Sequence, residues 1–142
     1  MIVDDLKRVQ ADTFAFYTKA HFYHWNVEGP NFVQYHKFLN KIYEEAWEAV
    51  DDIAEQVRQL DAYAPNNQRC LNELAQVKVD DTIPSALAMF KNLHDDNQIV
   101  MEGILMAYHT AEADMLIGLS NFLQDRMMAH KKLDWMLKSI LK

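Results

Sequence analysis

Residues 32–60 read FVQYHKFLNKIYEEAWEAVDDIAEQVRQL. Apolar side chains fall at Tyr35, Phe38, Leu39, Ile42, Tyr43, Ala46, Trp47, Val50, Ile53, Ala54, Val57 and Leu60, in steps of three and four. Those steps bring them to one side of an α-helix, and no Gly or Pro interrupts the run. Asn31 stands where an N-cap is expected.

Working outward, the same spacing continues on both sides. Upstream, Leu6, Val9, Phe14, Tyr17, His21 and Trp25 predict a helix from about Val3 to Asn26, stopped by Val27-Glu28-Gly29-Pro30-Asn31. Downstream, residues 61–82 form a connection in which Asn72–Ala75 is a candidate short helix. A third long helix is expected from near Pro84, capped by Asp81 or Thr82, to His109. A fourth is expected from Ala113 to Ile140. Gly103 and Gly118 lie inside these helices and mark candidate close approaches. The whole chain has three Pro and three Gly, too few turn residues for an all-β protein. Four helices of roughly 24–28 residues define an all-α four-helix bundle. The expectation is one domain over residues 1–142, with a short extra helix between helices 2 and 3.

The net charge of −7 gives no bulk reason for nucleic-acid binding. The charge is uneven: residues 126–142 carry five Lys/Arg (Arg126, Lys131, Lys132, Lys138, Lys142) against Asp134 alone. That basic helix reads as a solvated face. One cysteine, Cys70, excludes an intrachain disulfide and a Cys-rich zinc site. The N-terminus lacks signal-peptide regions, and no run of about 18 apolar residues exists. A cytoplasmic location and no membrane partner are therefore expected.

Bundles that hold two iron atoms in their core carry Glu-x-x-His on two helices. None of the glutamates here has His three residues on, so any metal site must be built otherwise. The polar residues that stand out lie between 21 and 55. His24 ends the first helix and His36 opens the second, so the turn between them brings two imidazoles together. Asp51 and Glu55 are four apart and share a helix face. Two His and two carboxylates suit Fe(II). Yet His36 and Asp51, fifteen residues apart on one helix, are separated by about 22 Å. One ion cannot take both from one chain. Two antiparallel copies of the helix solve this, placing His24 and His36 of one chain against Asp51 and Glu55 of its two-fold mate.

His24-Trp25-Asn26-Val27-Glu28-Gly29-Pro30-Asn31-Phe32, Tyr35-His36 and Asp51-Asp52-Ile53-Ala54-Glu55 also resemble the signature of the Dps family of mini-ferritins. Asp125-Arg126, His130-Lys131 and Trp135-Met136-Leu137 resemble that family's closing helix. The resemblance implies a ferritin-like fold and a hollow dodecamer built from dimers. It implies ferroxidase sites between subunits, where Fe(II) is oxidised by hydrogen peroxide in preference to dioxygen and stored as ferric mineral. His24, His36, Asp51 and Glu55 would bind iron, with Trp25 beside them intercepting radicals. The chain departs from the family pattern at Asn40, where many members have Asp; Asn40 with Glu44 is the candidate second, weaker iron position. Gln56 replaces the usual Arg, and Leu116–Asn121 is nearly uncharged where members line an iron-entry pore with acids. No Lys-rich N-terminal tail is present, so DNA binding, the alternative function, is expected to be weak or absent. His21 reads as structural, with support of the metal ligands as the alternative. His94, His109 and His130 read as surface or interface residues, and Phe14, Tyr17, Trp47 and Trp135 as core or subunit contact.

Overall fold

The computed structural model describes residues 1–142 as five helices and no strand. They are α1 (Ile2–Asn26), α2 (Phe32–Gln59), the short α3 (Gln68–Leu74), α4 (Ala86–Ala113) and α5 (Ile117–Leu141). Helix α1 packs against α2, α4 and α3, and α4 packs against α5. No helix is long and apolar enough to cross a membrane.

Four boundaries differ from the sequence reading by more than one residue. The short helix begins at Gln68, because the Asn67 side chain accepts the Cys70 N–H at 2.8 Å and starts it there. Helix α4 begins after Pro84: Ser85 Oγ, and neither Asp81 nor Thr82, accepts the Ala88 N–H. The chain before it is held elsewhere, since Asp80 is bonded by the Tyr23 hydroxyl of α1. Helix α4 also runs through Ala113, and α5 starts at Ile117. Between them, Met115 N–H donates to Glu112 O and Leu116 N–H to Ala111 O, the paired bonds of a Schellman motif. Met115 takes the left-handed position there, with φ +56°. Asn31 does precede α2, but its side chain makes no capping bond.

The core is filled by Leu6, Val9 and Phe16 of α1, Leu39, Ile53 and Val57 of α2, Phe90, Leu93 and Ile104 of α4, and Leu123 and Leu137 of α5, all essentially inaccessible. Each such side chain contributes about 1.5–3 kcal/mol relative to exposure. Gly103 lies against α1, where an added Cβ would meet Val9 Cγ2 at 3.6 Å; Gly118 faces open space.

Helix α1 has two apolar faces, and the sequence stripe mixed them. Leu6 and Val9 continue through Phe16, Ala20 and Tyr23 into the core. Phe14, Tyr17, His21 and Trp25 lie on a second, half-exposed face beside Tyr43 and Trp47 of α2. Trp47 and Trp135 are exposed on the single chain, so neither is core.

His130 is not a surface residue; it is 2% exposed. Its Nδ1–H donates to Asn97 Oδ1 at 2.7 Å, and its Nε2 accepts from Arg126 Nη2 at 3.0 Å. Asn97 Nδ2 returns a bond to the His130 carbonyl at 3.0 Å. Burial, reinforced by the Arg126 charge, pushes the imidazole down to about 3. Arg126, read as part of a solvated basic face, is itself buried and pairs in a two-pronged contact with Glu45 of α2. A second buried pair, Lys19–Asp96 at 2.7 Å, ties α1 to α4.

Candidate metal centre

The turn between α1 and α2 decides where His24 and His36 meet. Val27 N–H closes α1 onto Tyr23 O, and Phe32 N–H returns to Gly29 O. Gly29 has φ +119°, a conformation that a side chain would strain. The chain therefore reverses tightly, and the last turn of α1 faces the first turns of α2.

His24 and His36 lie ring on ring, with centroids 3.7 Å apart and planes 16° from parallel. His24 Nδ1 donates to the His36 carbonyl at 2.8 Å, and His36 Nδ1 donates to the His24 carbonyl at 2.7 Å. A carbonyl oxygen only accepts, so each proton sits on Nδ1. Each Nε2 is left with its lone pair and no protein partner. A main-chain oxygen holding one ring nitrogen while the other faces outward is how metal-binding imidazoles are oriented.

The carboxylates form a second group on α2. Ligand atoms of Asp51, Asp52 and Glu55 lie within 4.8 Å of one another, all three residues exposed. A hydrogen bond with Asp51, and then the Asp51 charge, raise the Glu55 pKa. A shared proton relieves that repulsion, and a cation bound between the carboxylates would replace the proton.

One chain brings His24 to His36 and Asp51 to Glu55, but it does not join the pairs. Helix α2 is continuous from Phe32 to Gln59, so His36 and Asp51 remain about 22 Å apart along it. The chain thus presents two separate groups of candidate donors, the imidazole pair and the carboxylates.

Asn40 is engaged: its Oδ1 accepts the Tyr43 hydroxyl at 2.9 Å. Glu44 lines a shallow cavity with Tyr17, His21, Tyr43, Trp47 and Glu48. Trp25 is exposed and packs on His21, with centroids 4.4 Å apart. His21 in turn stacks on Tyr43 at 3.8 Å, and its Nδ1 shares a hydrogen bond with the Tyr17 hydroxyl at 3.0 Å. Burial, with a smaller contribution from the His24 charge, lowers the His21 pKa, which favours its neutral form. The sequence reading took His21 as structural, with ligand support as the alternative, and did not link it to Tyr17 or Tyr43. The four-residue step from Tyr17 to His21 was the available signal.

Comparison with known proteins gives a consistent picture. The model of the Ferritin-like domain matches residues 3–142. A low-temperature-induced protein of Nostoc is 30% identical over 99% of this chain and 79% of its own length. The DNA protection during starvation protein of Helicobacter pylori is 29% identical, covering 96% of this chain and 95% of its own. Among solved structures, Dps from Staphylococcus aureus superposes with a TM-score of 0.95 at 27% identity, over 99% of this chain and 95% of that one. Dps from Vibrio cholerae, described as one of the ferritin-like diiron-carboxylate proteins, superposes at 0.96 with 25% identity, over 99% and 89%. The chain belongs to the ferritin-like family and, within it, to the Dps mini-ferritins. That membership places it among iron-storing and iron-oxidising proteins in general.

Proposed function

We propose that this protein is a ferroxidase that detoxifies Fe(II) and stores it as ferric mineral. Its site is completed between two subunits: His24 and His36 of one chain, Asp51 and Glu55 of its two-fold mate. The observation that carries this reading is the reciprocal His24–His36 pairing, which leaves two outward-facing Nε2 lone pairs on one side of a tight turn. Two imidazole nitrogens and two carboxylates make a donor set suited to Fe(II). The Asp51–Glu55 repulsion is stored where a cation relieves it. Two such half-sites per chain pair twice about a two-fold axis, so a dimer holds two sites. Dimers of this kind build the dodecameric cage, working in the cytoplasm.

Hydrogen peroxide is the preferred oxidant and dioxygen the slower one. Two Fe(II) give two electrons to one peroxide, and with two protons it becomes two waters. No hydroxyl radical escapes when both electrons arrive. Trp25, packed on His21 beside the imidazole pair, takes up stray oxidising equivalents. Asn40 and Glu44 are the residues left for a second, weaker iron position.

DNA compaction is the less favoured reading. Arg126 is spent on Glu45, which leaves the last helix only its lysines for phosphate. The experiment is anaerobic addition of Fe(II) and then peroxide to the assembled protein, following ferric absorbance and iron retained per cage. Accelerated oxidation with soluble mineral is expected. Oxidation no faster than in protein-free buffer would defeat the proposal.

A further inference from the structure

The half-exposed face of α1 and α2 carries a continuous ladder of rings. From His24 the step to Tyr43 is 5.2 Å between centroids, from Tyr43 to Tyr17 it is 6.3 Å, and from Tyr17 to Trp47 it is 5.1 Å. Trp47 lines a cavity together with Asp51 and Asp52. The ladder therefore begins at one half-site and ends at the other. Packing alone does not account for one feature of it. The Tyr17 hydroxyl, on a half-exposed side chain, is held at 3.0 Å from His21 Nδ1, while the His21 ring lies flat on Tyr43, 9° from parallel. A phenol loses an electron readily only when its proton has somewhere to go, and an imidazole nitrogen in hydrogen-bond contact is such an acceptor.

We propose that Tyr17, with His21 as its proton acceptor, is a redox relay between the two half-sites of each chain. The inference rests on the ferroxidase reading above. It answers a difficulty in that reading. The Asn40 amide oxygen already accepts the Tyr43 hydroxyl, and an amide is a weaker iron donor than a carboxylate. A site holding one Fe(II) tightly supplies one electron, whereas peroxide requires two. The first Fe(II) gives its electron, the O–O bond breaks, and hydroxide and a hydroxyl-radical equivalent result. Tyr17 gives the second electron through the ladder, and its hydroxyl proton passes to His21 Nδ1. The radical, with that electron and one solvent proton, becomes water, and a second solvent proton converts the hydroxide to water. Fe(II) at the other half-site then reduces the phenoxyl, and His21 returns the proton. The sum is two Fe(II) oxidised, one peroxide reduced and two protons consumed.

The test uses the assembled protein loaded anaerobically with Fe(II), mixed with hydrogen peroxide and freeze-quenched for electron paramagnetic resonance, with Fe(II) loss followed in parallel. Wild type is expected to give a transient tyrosyl signal that decays as the remaining Fe(II) is consumed. Tyr17→Phe, which keeps the ring and its packing, is expected to abolish that signal, and Tyr43→Phe to retain it. If Tyr17→Phe does not assemble, 3,5-difluorotyrosine at position 17 keeps the hydroxyl, and fluorine splitting is expected in the signal. Fast Fe(II) oxidation by wild type with no tyrosyl signal overturns the relay and leaves the ferroxidase reading intact. So does a signal that survives Tyr17→Phe or lacks fluorine splitting. No protein-dependent oxidation at all overturns both.

Discussion

His24 and His36 orient each other: each imidazole donates Nδ1–H to the other's main-chain carbonyl, at 2.8 and 2.7 Å, with the rings stacked 3.7 Å apart. Neither ring can turn without breaking a bond at the end of the facing helix. The pair is thus set by the backbone, which would lower the cost of ordering the two rings as ligands of an ion.

The ligand assignment predicts that His36→Ala and Asp51→Ala each weaken Fe(II) binding by more than about a hundredfold, beyond the usual effect of losing a residue that merely supports a ligand. Anaerobic calorimetry with Fe(II) measures this directly. On the proposed two-chain site, mixing the two variants should restore binding at sites where an Asp51→Ala subunit supplies the histidines and a His36→Ala subunit the carboxylates. Isotherms like wild type for both single variants would remove these residues from the site.

Asp12 is fully buried on α1, and its Oδ1 accepts both the Gln76 N–H at 2.6 Å and the Val77 N–H at 3.0 Å. It anchors the chain after α3 to the bundle. Asp12→Ala leaves two amides without partners and should cost about 2–4 kcal/mol. Urea denaturation gives the cost, and hydrogen exchange should show lost protection at Gln76 and Val77. Unchanged exchange there would contradict the anchoring role.

The His130 environment predicts an acid-sensitive stability. Its pKa is about 3 in the folded chain, against about 6.5 for a free imidazole. The unfolded chain therefore binds a proton first as pH falls. His130 contributes its full stabilisation above pH 6.5, and this is lost between 6.5 and 3 with a limiting slope of about 1.4 kcal/mol per pH unit. Asp12 and Asp96, whose carboxyls are raised by burial, oppose the trend at the acid end. The comparison of wild type with His130→Gln, by denaturant midpoint against pH at fixed protein concentration, isolates the histidine. Parallel pH profiles would show that it does not titrate as described.

Met115 holds the left-handed position at the end of α4, φ +56°, and its side chain is 81% exposed on the single chain. Glycine adopts this conformation without steric cost. Met115→Gly should raise stability by about 1 kcal/mol. A higher thermal midpoint is expected; a lower one would mean that the methionine makes contacts in the assembly that outweigh its strain.

The helices were legible because apolar spacing reports helical faces, and Gly29 and Pro30 punctuate the chain between α1 and α2. Helix starts were less legible, since Ser85, Thr82 and Asp81 are all competent caps. The choice fell to Ser85 once Asp80 was drawn to Tyr23. The two faces of α1 were merged for a similar reason: Phe14 and Phe16 look alike in sequence, and only packing separates the half-exposed ring from the buried one. His130 and Arg126 were misread because nothing local announces burial. Their partners, Asn97 and Glu45, are 33 and 81 residues away.

The sequence by itself determined the all-helical class, the pairing of His24 with His36 across a short turn, and the placing of Asp51 and Glu55 on one helix face. These follow from local periodicity and from helix rise, which need no knowledge of distant neighbours. Only the tertiary structure decided that each histidine's Nδ1 is committed to the other's carbonyl and that its Nε2 is free. Those bonds depend on the angle at which two helices meet, and that angle is set by side chains packed along their whole length.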